Sequence, residues 1–502
     1  MGYLSLTEAD RRHMLAEIGV SSVAELFSPI PPAFRSDGLS LPAGLSELET
    51  RARLRALAAR NRPCRSSSFL GAGCYQHSVP AAVSALVARG EFATAYTPYQ
   101  AEVSQGTLQA IFEFQTSICE LTGLEVANAS MYDGPSATAE AVFMALRQTK
   151  RERIACSAGV HPEVLEVVQT YASGPGFAVE VLDLDGATGT TAVAGAAGAA
   201  AAASAAGVVG AAGATAATAV AGAAGVAGAA AATTGATADL LPGLSVETGA
   251  LVVQQPNFFG VIEDTAALAE AAHAVGALLV VIQNPLTLAL LEAPGKLGAD
   301  IVTGDVQPFG NAMSFGGPSA GYLACREAYL RQIPGRLVGQ TVDADGRTCY
   351  TLTLQAREQH IRRAKATSNI CSNEALNALA ATIYLALLGP EGLAELAGIC
   401  LERAHYLQAG LASVPGITPG FTGPFFHEFV LRIAGGASSF ASALRSHGID
   451  PGVPLGRFSP EWEDLLLVAV TEINSPADLD SYIEAAREAA RGVESWEEPC
   501  AR

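Results

Sequence analysis

Across the middle of the chain, short apolar runs alternate with amphipathic segments. The runs are rich in β-branched residues, which is typical of strands buried on both faces of a sheet. They lie at 153–156, 178–182, 250–254, 277–282, 300–303 and 321–325. Between them, residues 135–149, 162–173 and 264–275 repeat apolar positions at helical spacing. This alternation predicts an α/β domain with a largely parallel sheet.

The two ends of the chain follow other patterns. Residues 1–62 predict a helical N-terminal region that is broken at Pro31 and Pro32. Residues 63–370 contain the alternating runs and predict the large α/β domain. Residues 371–502 begin with a long helical pattern and then mix strands with helices. They predict a helical connection followed by a small α+β domain.

One internal stretch differs from its surroundings. Residues 187–238 are almost entirely Ala, Gly, Thr and Val, and they carry no charge. The stretch is longer than the ~18 apolar residues that flag a membrane helix, but it has no Leu, Ile or Phe and is interrupted by glycine. We interpret it as a low-complexity insertion in a surface loop, with a membrane or partner segment as the alternative.

Composition narrows the class of protein. The 502 residues have a formal net charge of −19, which argues against nucleic-acid binding through a basic face. The nine cysteines form no CxxC pair and no Cys/His group with zinc spacing, so the sequence predicts no metal site. Scattered thiols and the lack of a signal-peptide pattern predict a cytoplasmic protein with no membrane contact.

Two polar segments are candidates for chemistry. The first, residues 96–106, places Tyr96, Tyr99, Gln100 and Glu102 just before an apolar helix. These groups could orient a small polar substrate, or they could form a polar interface or a helix cap. The second, residues 128–138, leads small residues into a helix N-terminus and could bind an anion, although its Asp133 would repel phosphate and favours a capping turn.

The segment that follows the strand at 300–303 bears on cofactor chemistry. Enzymes of the aspartate aminotransferase type, which use pyridoxal phosphate (PLP), carry their Schiff-base lysine in such a segment, but residues 305–318 contain no lysine. These enzymes also need an acidic residue after a preceding strand to hold the pyridinium nitrogen protonated. Here the strand at 277–282 runs into the neutral Gln283 and Asn284. Both requirements for PLP binding fail.

A basic segment lies farther along the chain. Arg357, Arg362, Arg363 and Lys365 cluster in an otherwise acidic protein. The cluster could bind a phosphate, a carboxylate or an acidic partner, or it could form an interface network with nearby carboxylates such as Glu358. The residues alone leave these alternatives open.

These segments together resemble the glycine dehydrogenase (decarboxylating) family, the P-protein of the glycine cleavage system. More narrowly, the chain resembles the α chain, or subunit 1, of the split enzyme. The resemblance covers nearly the whole chain except about 187–238. Its motifs are Phe69-Leu70-Gly71-Ala72-Gly73-Cys74-Tyr75, Tyr96-Thr97-Pro98-Tyr99-Gln100, Asn128-Ala129-Ser130, Gln255-Pro256-Asn257-Phe258-Phe259-Gly260, Pro334-Gly335-Arg336 and Lys365-Ala366-Thr367-Ser368-Asn369-Ile370-Cys371. One departure is Ala364, where an acidic residue is expected.

The resemblance implies a fold and a reaction. The fold would be that of PLP-dependent transferases of fold type I. The complex would decarboxylate glycine through PLP and pass the aminomethyl group to the lipoyl arm of the H-protein. PLP would be bound covalently by the partner, the P-protein β subunit, and this chain would carry no Schiff-base lysine. A heterotetramer is also implied.

The same resemblance suggests which residues act. Tyr96, Tyr99, Gln100 and Glu102 would reach the partner's active site across the interface. A second set would make contacts on the phosphate side or at the interface: Lys365, Ser368 and Asn369. The competing interpretation is a non-catalytic scaffold or regulator with the PLP-enzyme fold.

Overall fold

A computed structural model describes residues 6–36, 38, 40–61, 67–93, 97–191 and 243–494. The chain divides into two compact units, Met1–Pro63 and Cys64–Arg502. Most of the alanine- and glycine-rich stretch that was predicted to be an insertion lies outside the described residues. The predicted domain boundaries near 370 divide the second unit and stay a prediction.

The first unit is built on two α-helices, α1 (Glu8–Ile18) and α2 (Glu47–Ala58). Each begins with a capping box, formed by Thr7 with Asp10 and by Ser46 with Glu49. These reciprocal bonds satisfy backbone N–H groups that have no partner within the helix. Both helices lie in the region, residues 1–62, that the sequence predicts to be helical.

A seven-stranded sheet forms the centre of the second unit. Its order is β1-β7-β6-β5-β4-β2-β3. The strands β2 to β6 run parallel, whereas β7 pairs antiparallel with β6 and with β1. The strand bounds are β1 Val126–Ala127, β2 Arg153–Ser157, β3 Ala178–Leu182, β4 Thr248–Gln255, β5 Leu278–Gln283, β6 Ile301–Asp305 and β7 Gly321–Cys325. The predicted largely parallel sheet is confirmed.

Helices cover both faces of this sheet. Because successive strand side chains point to opposite faces, Leu251 and Val253 join one apolar core, and Val252 joins another. The helices of this region are α3 Ala81–Val87, α4 Gln105–Thr122, α5 Gly134–Thr149, α6 Pro162–Ser173 and α7 Thr265–Ala274. Burial on both faces explains the continuous apolar runs read in the sequence.

Two smaller elements continue the chain. A hairpin pairs β8 (Val338–Val342) with β9 (Thr348–Leu352). The helix α8 is a single turn, Gln359–Arg362. It lies within the basic segment, between Arg357 and Arg363.

A long helix, α9 (Ala375–Ala412), connects the two parts of the unit and is kinked at Gly389, which precedes Pro390. By length and composition it could cross a membrane. However, Ala381 and Tyr384 are buried in a core beside the large sheet, and Leu407 is buried in the C-terminal core. This placement is that of a core helix of a globular unit.

The C-terminal part is a four-stranded antiparallel sheet with helices. The order is β10-β11-β13-β12. Its elements are β10 Ile417–Pro419, β11 Glu428–Ile433, α10 Ala437–Ser446, β12 Val453–Pro454, β13 Leu465–Ala469 and α11 Pro476–Glu494. This arrangement matches the small α+β fold predicted for the end of the chain.

Candidate functional site

The carboxyl ends of the parallel strands mark the usual ligand edge of an α/β sheet. At this edge lies a cavity of about 20 Å³, lined by Tyr75, Gln254, Pro256, Asn257, Gly260, Asn284, His427 and Glu428. A volume of this size holds about one water molecule. Side chains from the loop after residue 70 and from β11 close the edge.

Glu428, the first residue of β11, is the main closing group. It is buried, and its carboxyl oxygens accept hydrogen bonds from the Ala72 N–H at 2.7 Å and from the Tyr75 hydroxyl at 2.8 Å. Burial raises the pKa of Glu428 to about 7. A Cβ atom at Gly71 would lie 2.2 Å from Oε1 of this carboxyl, so only glycine fits there. The loop and the small domain are thus fastened together across the edge.

The loop after β6 is held in place by a buried amide side chain. Gln307 is buried, and its amide nitrogen donates to the carbonyl oxygens of Tyr75 at 2.9 Å and Asn311 at 3.0 Å. Its amide oxygen accepts from the Tyr75 N–H at 3.1 Å. At the end of β5, Gln283 donates to the Thr287 hydroxyl at 2.5 Å. Both polar side chains therefore hold loops in place.

The N-terminus of α5 already has its own anions. Asp133 caps the helix and accepts from the Ser136 N–H at 2.7 Å. Asp305, at the end of β6, accepts from the Gly134 N–H at 3.2 Å, and burial raises the pKa of Asp305. Two carboxyl groups thus lie where a phosphate would bind. Of the two interpretations of this segment, the structure supports the capping turn and not the anion site. With no lysine and no room, the residues of this edge do not fit PLP.

A different surface presents polar groups outward. Tyr99 is 50% exposed, and its ring lies 5.8 Å from the guanidinium carbon of Arg336 and 6.1 Å from the ring of His360. Arg336 is itself buried and donates to the Asn373 side-chain oxygen at 3.3 Å. The cation of the buried Arg336 therefore holds one face of the Tyr99 ring, and the other part of the side chain is exposed to solvent.

The segment 128–133 is hydrogen-bonded to Asn373, the residue that accepts from Arg336. Ser130 is fully buried with φ of 141°, an uncommon backbone conformation for a residue other than glycine. Its hydroxyl oxygen accepts from the Glu374 N–H at 3.1 Å and from the Asn373 amide at 3.1 Å. The Tyr132 hydroxyl accepts from the Cys371 N–H at 3.1 Å. Two motifs that are far apart in the sequence are thereby joined, and such strained positions cluster at functional sites.

The structure places the predicted site residues as follows. Tyr99, Gln100 and Glu102 are exposed in the turn that precedes α4, whereas Tyr96 lies outside the described residues. Gln105 was not singled out by the sequence reasoning, although it fixes this turn. Its side chain exchanges two hydrogen bonds of 2.9 Å with the backbone of Tyr350.

The second predicted set is divided. Lys365 and Asn369 are exposed, whereas Ser368 is half-buried and hydrogen-bonded to Glu140. Arg336 was also missed as a functional residue, although the motif Pro334-Gly335-Arg336 contained the signal. The structure places both Arg336 and His360 beside the ring of Tyr99, and no spacing in the sequence indicates these contacts.

Comparison with known proteins identifies the family. The family model described as the glycine cleavage system P-protein matches residues 1–485. The probable glycine dehydrogenase (decarboxylating) subunit 1 of Moorella thermoacetica is 46% identical over 489 residues, covering 97% of this chain and 99% of that protein.

Solved structures agree with the fold. The crystal structure of glycine decarboxylase (P-protein) of the glycine cleavage system, in inhibitor-bound form, is 44% identical with a TM-score of 0.81, covering 97% of this chain and 100% of that one. A glutamate decarboxylase from Lactobacillus brevis, 12% identical with a TM-score of 0.61 over 96% of this chain and 98% of that one, shares the fold alone. The predicted fold, that of PLP-dependent enzymes of fold type I, is confirmed. The chain belongs to the glycine cleavage system P-protein family.

Proposed function

We propose that this chain is the assisting subunit of a glycine-decarboxylating P-protein. With a partner subunit it decarboxylates glycine and passes the aminomethyl group to the lipoyl arm of the H-protein, in the cytoplasm. The observation that carries the proposal is the contrast between two surfaces. The edge that would hold PLP is closed by Glu428 and Gln307, whereas Tyr99 is held with its face exposed.

PLP is accordingly assigned to the partner subunit, whose lysine would bind it, and no chemical step is placed at this chain's own sheet edge. The side chains of Tyr99, Gln100 and Glu102 would complete the partner's site, with Tyr96 beside them in the sequence. Their exposure in one turn supports this role. Lys365, Ser368 and Asn369 would make phosphate-side or interface contacts, and the exposed Lys365 supplies the positive charge for such a contact.

The helix that follows this turn, α4, lines an apolar groove. It has a volume of about 270 Å³ and lies between α4 and the start of α9, lined in part by Phe92, Ile111 and Leu376. Contiguous apolar surface rimmed by polar residues is typical of protein–protein contacts. The groove supports contact with a partner chain along α4, the helix that follows the turn of Tyr99.

The decisive experiment locates PLP. The purified chain is incubated with PLP, alone and with its candidate partner subunit, then reduced with borohydride and mapped by mass spectrometry. A pyridoxyl group on a partner lysine only, together with glycine decarboxylation that requires both chains, is the expected result. A stoichiometric pyridoxyl group on Lys150, Lys296 or Lys365 of this chain would overturn the assignment.

Two substitutions test the role of the exposed turn. Glu102→Gln and Tyr96→Phe should lower the activity of the assembled complex without changing assembly. Unchanged activity in both variants would show that this turn does not contribute to the partner's site.

A further inference from the structure

Three potential metal ligands meet where the large and small parts of the second unit join. They are His77 from the loop that precedes α3, Cys400 from α9 and Glu472 from the segment after β13. One donor atom from each lies within 4.8 Å of the other two. Because these residues come from three distant parts of the chain, no ligand spacing in the sequence predicts that they form a site.

The site is enclosed by the protein. Cys400 is fully buried, the His77 side chain is 2% exposed and the Glu472 side chain is 11% exposed. The buried Nε2 of His77 and Nδ1 of His427 have no hydrogen-bond partner among the residues that the structure describes. Neither nitrogen is the donor atom that faces Glu472, which is Nδ1 of His77, so the metal site rests on the three donor atoms and their spacing.

The donor types and spacings select the ion. One thiol, one imidazole and one carboxylate suit zinc, whereas magnesium and calcium prefer oxygen ligands alone. Around a tetrahedral zinc, donor atoms lie roughly 3.3–3.6 Å apart. Here Cys400 Sγ lies 3.6 Å from the Glu472 carboxylate oxygen Oε2, and the Nδ1 of His77 lies 2.8 Å from that oxygen. The first distance fits bound zinc, and the second must lengthen by about half an ångström.

Protons compete with a metal ion for the thiol of Cys400 and for Nδ1 of His77. Without metal, the thiol of Cys400 and the imidazole of His77 both approach the same oxygen of Glu472. The other oxygen accepts from the Ser78 N–H at 2.6 Å, which fixes the carboxylate from the far side. Arg403 donates to the Glu472 carbonyl oxygen at 2.7 Å and fixes its backbone. The carboxylate is therefore preorganised toward the thiol and the ring.

We propose that His77, Cys400 and Glu472 form a zinc site that fastens the loop before α3 to α9 and to the C-terminal sheet. Zinc binding releases the thiol proton of Cys400 and any proton on Nδ1 of His77 to solvent, and the metal takes their place. With three protein ligands, a water or another small ligand would complete the tetrahedron. This site is separate from the Tyr99 surface and does not depend on the function proposed for that surface.

The test uses the full-length chain, purified without chelator and then stripped of metal. Zinc is titrated by calorimetry and quantified by elemental analysis, and cobalt replaces zinc to report sulfur ligation through a thiolate-to-cobalt absorption band. The expected result is one metal per chain, with the cobalt band present and the thermal unfolding midpoint raised by zinc. Wild-type protein that takes up no zinc, or that binds cobalt without the thiolate band, would overturn the proposal without any variant being needed.

Variants then assign the ligands. Cys400→Ala and His77→Gln should weaken zinc binding more than about tenfold, and Cys400→Ala should abolish the cobalt band. Cys156→Ala is the matched control, because it removes an equally buried thiol from β2. Cys400→Ser, which keeps the size of the side chain, replaces Cys400→Ala if that variant does not fold. A cobalt band that survives loss of the Cys400 thiol but disappears in Cys156→Ala would refute the assignment.

Discussion

Replacing Glu428 by glutamine should change how the stability of the chain depends on pH. The carboxyl is buried, and its pKa rises from the ordinary 4.5 to about 7, mainly because burial disfavours the charge. In the unfolded chain the group loses its proton near the ordinary value. Between the two pKa values the folded chain holds a proton that the unfolded chain has released.

The sign and size of the effect follow from linkage. Since the folded state binds more protons in this window, the stabilisation is fully present below pH 4.5 and is lost as pH rises through about 7. Each pKa unit corresponds to about 1.36 kcal/mol, so a shift of roughly 2.5 units costs about 3 kcal/mol above pH 7. Glutamine keeps the shape of the neutral acid and cannot ionise.

The comparison with the variant isolates this group. The neighbouring His427 has its pKa lowered to about 3 by burial, so its own contribution runs in the opposite direction with pH. A pH profile of the wild-type chain alone would therefore mix two opposing effects. Subtracting the wild-type profile from that of Glu428→Gln leaves the contribution of one carboxyl.

The assay is chemical denaturation of both proteins at pH 5, 6, 7 and 8. The free energy of unfolding of Glu428→Gln, relative to wild type, should rise by about 2–3 kcal/mol across this range and then level off. The exposed Glu461, changed to glutamine, serves as the control and should give a flat difference. A flat difference for Glu428→Gln as well would mean that the Ala72 and Tyr75 hydrogen bonds keep the carboxylate charged throughout, and the reasoning from burial would fail.

Three further predictions address other parts of the molecule. Gly260→Ala should lower the free energy of unfolding by more than about 3 kcal/mol, because its Cβ would lie 1.9 Å from a backbone carbonyl oxygen. The control is Gly346→Ala, which has a similar positive φ but no atom within 4 Å of the added Cβ and should cost only about 1 kcal/mol. The free energy of unfolding of His427→Asn, relative to wild type, should rise as pH falls from 6.5 towards 3, because the variant lacks the buried imidazole that must stay neutral; denaturation of both proteins between pH 4 and 7 measures this difference. Arg336→Met should lower the activity of the complex about as much as Tyr99→Ala, because the cation of Arg336 fixes the Tyr99 ring. The loss in the double variant should then be smaller than the sum of the two single losses. Additive losses would show that the two residues act independently.

The sequence was sufficient for the elements whose signal is local. The buried strands β4 and β5 contain unbroken apolar runs at 250–253 and 278–282, and the helix α1 carries its start signal in Thr7 and Asp10. Local chemistry also indicated that Asp133 would cap α5 and repel phosphate. In each case the residues that decide the structure are neighbours along the chain.

The contacts that build the site are not local. Tyr75 meets Glu428 across 353 residues, and His77 meets Glu472 across 395. Arg336 lies under Tyr99 because the hairpin β8–β9 brings the chain back to the start of α4. Propensity and periodicity describe residues that are neighbours along the chain, so they cannot predict contacts between residues this far apart. These contacts are known only from the folded structure.

The closed sheet edge and the exposed turn should respond differently to mutation. At the edge, Glu428, Gln307 and Asp305 bind neighbouring loops of their own chain, so their loss should lower stability first and activity only as a consequence. In the turn, Tyr99 is half-exposed and contributes little burial, so its loss should lower activity while stability holds. A chain that bound its own cofactor would show the reverse at the edge, because cofactor-binding residues are held in place at a cost to stability. The ratio of the two effects therefore distinguishes an assisting subunit from an independent enzyme by a criterion that does not require the cofactor to be located.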